Sequence, residues 1–229
     1  MTTGSPGLPE RVALFPLPDH VFLPGVPAPY RLFEPRYRAL VRDLLKLPPA
    51  ERLLAIPRLT PGWRPEEYEG SPAFDPIAAI GRVIHCAPLP DGEFHIVVQG
   101  MARVRLEEVR SPALYRLARP QPYEDDPPAP GDLEARSAGV DALAQSTRTL
   151  AKMIGPPAHE LARLAADCID EERWIFSLGS VLLSDTAERY RLLVSRSPVE
   201  RIDILLGQLA VLLHLVGTKG PGRDLLPEG

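Results

Sequence analysis

In the first half of the chain, apolar positions recur in short runs with a period near two; in the second half they recur every three or four residues. These are the signatures of strands and of helices with one buried stripe. Arg11–Leu17 and Pro27–Phe33 read as strands, the second irregular because prolines cannot donate to a ladder. Pro35 opens a helix over Pro35–Leu47 in the first-turn position proline favours. Its residues Leu40, Val41, Leu44 and Leu45 form the stripe, and Pro48-Pro49 ends it. Arg52–Leu59 reads as a further strand. Ile77–Cys86 and Glu93–Val109 flank Asp91-Gly92, a dipeptide suited to a hairpin turn. In the second arm Phe94, Ile96, Val98, Ala102, Val104 and Leu106 share one parity. His95, Gln99, Arg103, Arg105 and Glu107 share the other, so one face is wet, with a bend at Gly100. Tyr115–Arg119 is a last short strand.

Tyr123–Gly131, rich in acids and prolines, reads as a linker. Beyond it, Asp132 caps a helix running to about Ile154 with Leu133, Val140, Leu143 and Leu150 as its stripe. Helices follow near Ala158–Ile169, Glu172–Leu183 and Thr186–Val194. The last helix has Ser197 as cap, Pro198 in the first position and Glu200 completing a capping box. Its apolar residues run from Val199 to Val216. The expected organisation is α+β: a β-rich subdomain over 11–122 and a helical one over 132–216, with 1–10 and 218–229 disordered.

Composition narrows the function. The chain has 26 basic and 30 acidic residues, a net charge of −4, without a polybasic run. That disfavours nucleic acid as a partner. Its two cysteines, Cys86 and Cys168, are far apart, and no signal peptide or membrane-length apolar run occurs. Reduced thiols and a cytoplasmic location are expected, with no membrane association. No Gly-Lys pair exists to build a phosphate loop, and none of Lys46, Lys152 and Lys219 has a serine in a catalytic setting. His85 and Cys86 are adjacent on a strand and point apart, so with His95 they make a poor metal site. Catalytic residues, metals and cofactors are therefore all expected to be absent. The aromatics Phe22, Tyr30, Phe33 and Tyr37 are candidates for a peptide groove.

Three blocks, Leu14-Phe15-Pro16-Leu17, Val21-Phe22-Leu23-Pro24-Gly25 and Phe33-Glu34-Pro35-Arg36-Tyr37, resemble the opening of the substrate-binding domain of Lon proteases. Ile80-Gly81, Asp91-Gly92 and Gly100-Met101-Ala102-Arg103-Val104 fit that family's second block. The helical half, with Leu161-Ala162-Arg163-Leu164-Ala165-Ala166 and the stretch from Glu188 to Leu193, is similar too. The resemblance covers about residues 11 to 216. It implies a PUA-like pseudo-barrel followed by a helical bundle, in a stand-alone form without the ATPase and peptidase domains. The implied role is non-catalytic recognition of unfolded or tagged polypeptides, with a Lon-type protease as possible partner. Alternatives are an RNA-binding module, since PUA-like barrels include such proteins, and a hydrolase whose site is assembled from residues distant in sequence. Glu34 and Arg103 stand at the centre of two of the blocks, and an ion pair fixing the helix to the barrel is expected between them.

Overall fold

A computed structural model describes residues 7–64, 66, 68, 71–165 and 170–219. Most of the disorder expected for 1–10 and 218–229 falls outside these residues, but Gly7–Glu10 are described, and Thr218 and Lys219 close the last helix. The chain forms two compact units, Met1–Glu124 and Asp125–Gly229.

Among its described residues the first unit holds six strands and one α-helix: β1 (Val12–Leu14), β2 (Pro27–Leu32), α1 (Pro35–Leu45), β3 (Leu53–Ile56), β4 (Ile77–Pro88), β5 (Phe94–Val109) and β6 (Leu117–Pro122). The sheet order is β2-β5-β4-β3-β1-β6, and β6 also pairs with β5. Five strands thus close on themselves as a pseudo-barrel, while β2 lies outside it on the N-terminal half of β5. β1 and β3 are parallel, and the chain between them carries β2 and α1.

Alternation along the strands feeds two cores. Val12, Leu14, Ala55, Ala78, Ile80, Val104 and Leu106 form one cluster. Ala13, Leu54, Ile56, Ala79, Ile96 and Val98 pack with Tyr37, Leu40, Val41 and Leu44 of α1 in the other. Successive residues of β1 and β3 therefore serve opposite clusters, as the pleat requires.

β5 changes partner at Gly100, from β2 to β6. The Gly100 N–H donates to Val26 O and its carbonyl accepts from Gly25 N–H, each at 3.0 Å. A Cβ at Gly100 would stand 2.3 Å from Leu23 O, so the crossing chain excludes any side chain there. Ile80 pairs with Ala102 and Gly81 with Gly100, which leaves Met101 bulged. The expected bend is this bulge. The hairpin turns where Gly92, at φ 71°, donates to Leu89 O.

Several element boundaries moved: β1 and β3 are shorter than the expected Arg11–Leu17 and Arg52–Leu59, and β4 runs on to Pro88. α1 gives way at Lys46 and Leu47 to tighter bonds onto Asp43 O and Leu44 O, three residues back. β6 covers Leu117–Pro122 and not Tyr115–Arg119: the side chains of Tyr115 and Arg116 are held by Asp43 of α1 and by Pro72 O.

The second unit contains α2 (Asp132–Ile154), α3 (His159–Leu164), α4 (Glu171–Leu182), α5 (Thr186–Val194) and α6 (Pro198–Lys219). The long helices α2 and α6 pack together over Leu143, Leu150, Ile202, Leu205 and Leu209. Leu133, expected in the α2 stripe, is 68% exposed. Asp132 is the first helical residue and not the cap: its carboxylate accepts from Ala129 N–H at 2.7 Å, and Gly131 stands at the cap. The expected helix over Ala158–Ile169 is shorter, and residues 166–169, Cys168 among them, lie outside the described set.

Candidate functional site

Where β5 ends, its loop into β6 bends over the first turn of α1. Between them is a groove of about 560 Å³. Tyr37 and Arg36 of α1, Leu14 of β1, Val109 at the end of β5, and Leu114 and Tyr115 of the loop contribute to its walls. Leu114 is 74% exposed, an apolar side chain held at the rim. The loop is fixed at both ends. Arg116 donates to both carboxylate oxygens of Glu108 at 2.6 Å and to Pro72 O at 2.7 Å, with its guanidinium over the Phe74 ring. Tyr115 donates to Asp43 Oδ2 at 3.0 Å. Burial, and then that carboxylate, push the Tyr115 hydroxyl up to about 12. Hydrogen bonds from Lys46 and then Tyr115 pull the Asp43 carboxyl below its ordinary value.

The α1 side of the groove is a polar network. Arg36 Nε donates to Glu34 Oε2 at 2.8 Å, and Tyr68 donates to Glu34 Oε1 at 3.0 Å. The Arg36 guanidinium lies 4.8 Å from the centres of the Tyr37 and Tyr68 rings. Burial raises both hydroxyls, most strongly that of Tyr37. Arg36 and Arg116 are thus neutralised by carboxylates. The groove offers a ligand both apolar surface, at Val109 and Leu114, and polar side chains, at Ser71, Arg110 and Ser111.

The four aromatics picked from the sequence are not assembled as one surface. Phe22 and Tyr37 are 2% and 4% exposed and belong to the core. Tyr30 is half-buried, bonded to His20 Nε2 at 2.9 Å and edge-on to Phe15 and Phe22. Phe33 is 59% exposed. Of the four, Tyr37 alone lines the groove. Phe15, at the centre of this cluster with Tyr37 4.7 Å away, and the loop residues Leu114 and Tyr115 are not among the binding candidates that the sequence pattern offers. The signal for Leu114 was a leucine within Ser111–Tyr115, a turn-like stretch where nothing else calls for one.

The ion pair expected between Glu34 and Arg103 does not form, because Glu34 is engaged by Arg36 and Tyr68. Arg103, expected on a wet face, is 5% exposed. It stands opposite Ala79, whose small side chain leaves room for the arginine stem, and its guanidinium faces the Tyr123 ring at 5.5 Å. Among the described residues no three His, Cys, Asp or Glu side chains could hold a metal ion. No described helix is long and apolar enough to cross a membrane. The Cys86 thiol, raised by burial, is poorly disposed to be a nucleophile.

Residues 11–211 match the family of ATP-dependent protease La (LON) substrate-binding domains. The chain is 23% identical over 163 residues to Lon protease 2 of Myxococcus xanthus, an alignment covering 71% of this chain and 18% of that protein. It spans about a fifth of the length of such curated relatives. Its fold is similar to the N-terminal domain of a Mycobacterium avium complex Lon protease, with a TM-score of 0.63 at 15% identity over 87% of this chain and 98% of that one. It is also similar to a Lon N-terminal domain protein from Xanthomonas campestris, with a TM-score of 0.52 at 22% identity over 86% and 97% of the two chains.

Proposed function

The chain belongs to the family of LON substrate-binding domains, and from that premise we propose that it is a recognition module that holds unfolded or tagged polypeptide segments and performs no chemistry itself. The family match through 11–211 carries this reading. The groove beside Tyr37, Leu114 and Tyr115 supplies a place for the segment. An extended peptide can lay apolar side chains against Leu114 and Val109 while its polar groups meet Arg110 and Ser111. Adding a strand to β2 suits the peptide less well, because Pro27 and Pro29 remove two donors from that edge. The module works in the cytoplasm, and a Lon-type protease is the partner that would process what it holds.

Ordering a flexible segment is costly, so binding in the micromolar range, about −8 kcal/mol, is expected. The test is a titration with a fluorescent, uncharged, apolar-rich peptide at low and high salt, beside a single-stranded RNA oligomer. The expected result is peptide affinity that hardly changes with salt and falls about tenfold in Leu114→Asp, with the melting temperature retained. Tighter binding of RNA with a steep salt slope would overturn the reading. So would hydrolysis of ATP or casein that co-elutes with the protein and vanishes on a point mutation.

A further inference from the structure

Two arginines four residues apart on α1, Arg38 and Arg42, converge on the β4–β5 hairpin turn. A Cβ at Gly92 would stand 2.6 Å from a terminal nitrogen of Arg38 and 3.7 Å from one of Arg42. The Arg38 guanidinium packs where a side chain at Gly92 would stand, so only glycine fits there, and the turn holds it at φ 71°. Two cations brought this close repel one another unless an anion lies between them.

Neither arginine makes an ion pair or a side-chain hydrogen bond among the described residues. Arg31, Arg36, Arg58, Arg116 and Arg201, by contrast, each hold a carboxylate at 2.5 to 2.8 Å. The neighbouring acids do not neutralise the pair. Glu93 is taken by Arg31, Asp43 by Lys46 and Tyr115, and Asp91 in the turn pairs with neither arginine. The Nε of Arg38 is buried without a hydrogen-bond partner, so desolvation has been borne with nothing yet offsetting it.

We infer that the arginine pair Arg38 and Arg42, where it meets the Gly92 turn, is a binding site for a carboxylate. Guanidinium groups grip that planar two-oxygen anion with paired N–H bonds. Phosphate chains of nucleic acid need a longer track of cations than two arginines provide. Phe33, 59% exposed, follows the last β2–β5 pair, Leu32 with Phe94, at this same end of the sheet. A ligand with an acidic side chain beside an aromatic or aliphatic one fits both features. That the carboxylate comes from a polypeptide rests on the proposed function; the anion site does not.

The test follows the arginine Nε–Hε signals by NMR in the whole chain during titration with glutarate, against chloride at matched ionic strength. Two signals, assigned with Arg38→Gln and Arg42→Gln, are expected to move saturably while the other arginines stay still. Glutarate shifts no larger than those of chloride would overturn the site. Two peptides differing by one Glu-to-Gln exchange beside a phenylalanine are then compared. At low salt the acidic peptide is expected to bind about tenfold tighter, and Arg38→Gln/Arg42→Gln should erase that advantage at unchanged melting temperature. The affinity of the Gln peptide should not change. Equal loss for both peptides would overturn the assignment, as would RNA moving the two signals at lower concentration than the acidic peptide. Glutarate binding without binding of either peptide would uphold the anion site and sink the polypeptide reading.

Discussion

Burial holds four of the six tyrosines, Tyr30, Tyr37, Tyr68 and Tyr115, in their protonated form beyond the ordinary tyrosine range. A hydroxyl whose folded value is raised contributes stability that is complete below the unfolded value and is lost as pH rises towards the folded one. For Tyr115 that window runs from 10.0 to about 12. Absorbance titration should show a tyrosinate component of four residues lagging behind pH 10, and Tyr115→Phe should lower it by one residue, lost near pH 12. Ionisation of all six tyrosines near 10 would place these hydroxyls in water. None of this was legible in the sequence. Glu34 and Arg103 stand in neighbouring motifs, but motif order does not give distance, and the partner Glu34 takes is Arg36, two residues away. The parity that put Arg103 on a wet face ignored Ala79, the cross-strand neighbour that makes room for it. Phe22 and Tyr37 were good aromatic signals, but the pattern could not separate core from groove.

Elements with local causes were legible, and those set by distant partners were not. The hairpin followed from Asp91-Gly92 and alternation, α1 from Pro35 and its stripe. The start of α6 was half right. Ser197 Oγ accepts from Glu200 N–H at 3.3 Å, but the Glu200 carboxylate accepts from the Ser195 hydroxyl at 2.6 Å instead of closing a box on Ser197. The Ser197 N–H donates to Ser195 Oγ at 3.3 Å, so a second serine completes the cap. Ser197→Ala should accordingly cost about 1 kcal/mol in urea melts. Gly100 is the sharper case. Alanine in place of glycine gains about 0.4–1 kcal/mol wherever the backbone admits it. Here the new Cβ would meet Leu23 O at 2.3 Å, backbone against side chain, and that crossing must open. Gly100→Ala is therefore expected to destabilise by about 2–3 kcal/mol, and a neutral or stabilising result in the same melts would show that the crossing is loose.

Across the whole molecule the α+β class was legible from the change of period, and the strand order was not, because the parallel β1–β3 pair and the β5–β6 closure join residues far apart in sequence. The same limit hid how the chain is anchored where the second unit begins. Asp125 and Asp126 look like solvated linker acids, but Asp126 pairs with Arg196 at 2.7 Å and Asp125 receives both terminal nitrogens of Arg201, at 2.5 and 2.6 Å. Arg201 is 1% exposed, with its guanidinium also donating to Ser195 O and lying over Phe176. Asp125→Asn keeps the shape but leaves that cation buried without its anion, a change expected to cost about 3–5 kcal/mol. Replacing both partners removes the charge together with its need, so Asp125→Asn/Arg201→Met should be less damaging than Asp125→Asn alone. Trp174, 3% exposed and donating to Leu164 O, lies in the same unit. Its fluorescence can follow urea unfolding in a Trp63→Phe background. A double variant no more stable than Asp125→Asn would mean that Arg201 is held by its packing on Phe176 and not by its charge.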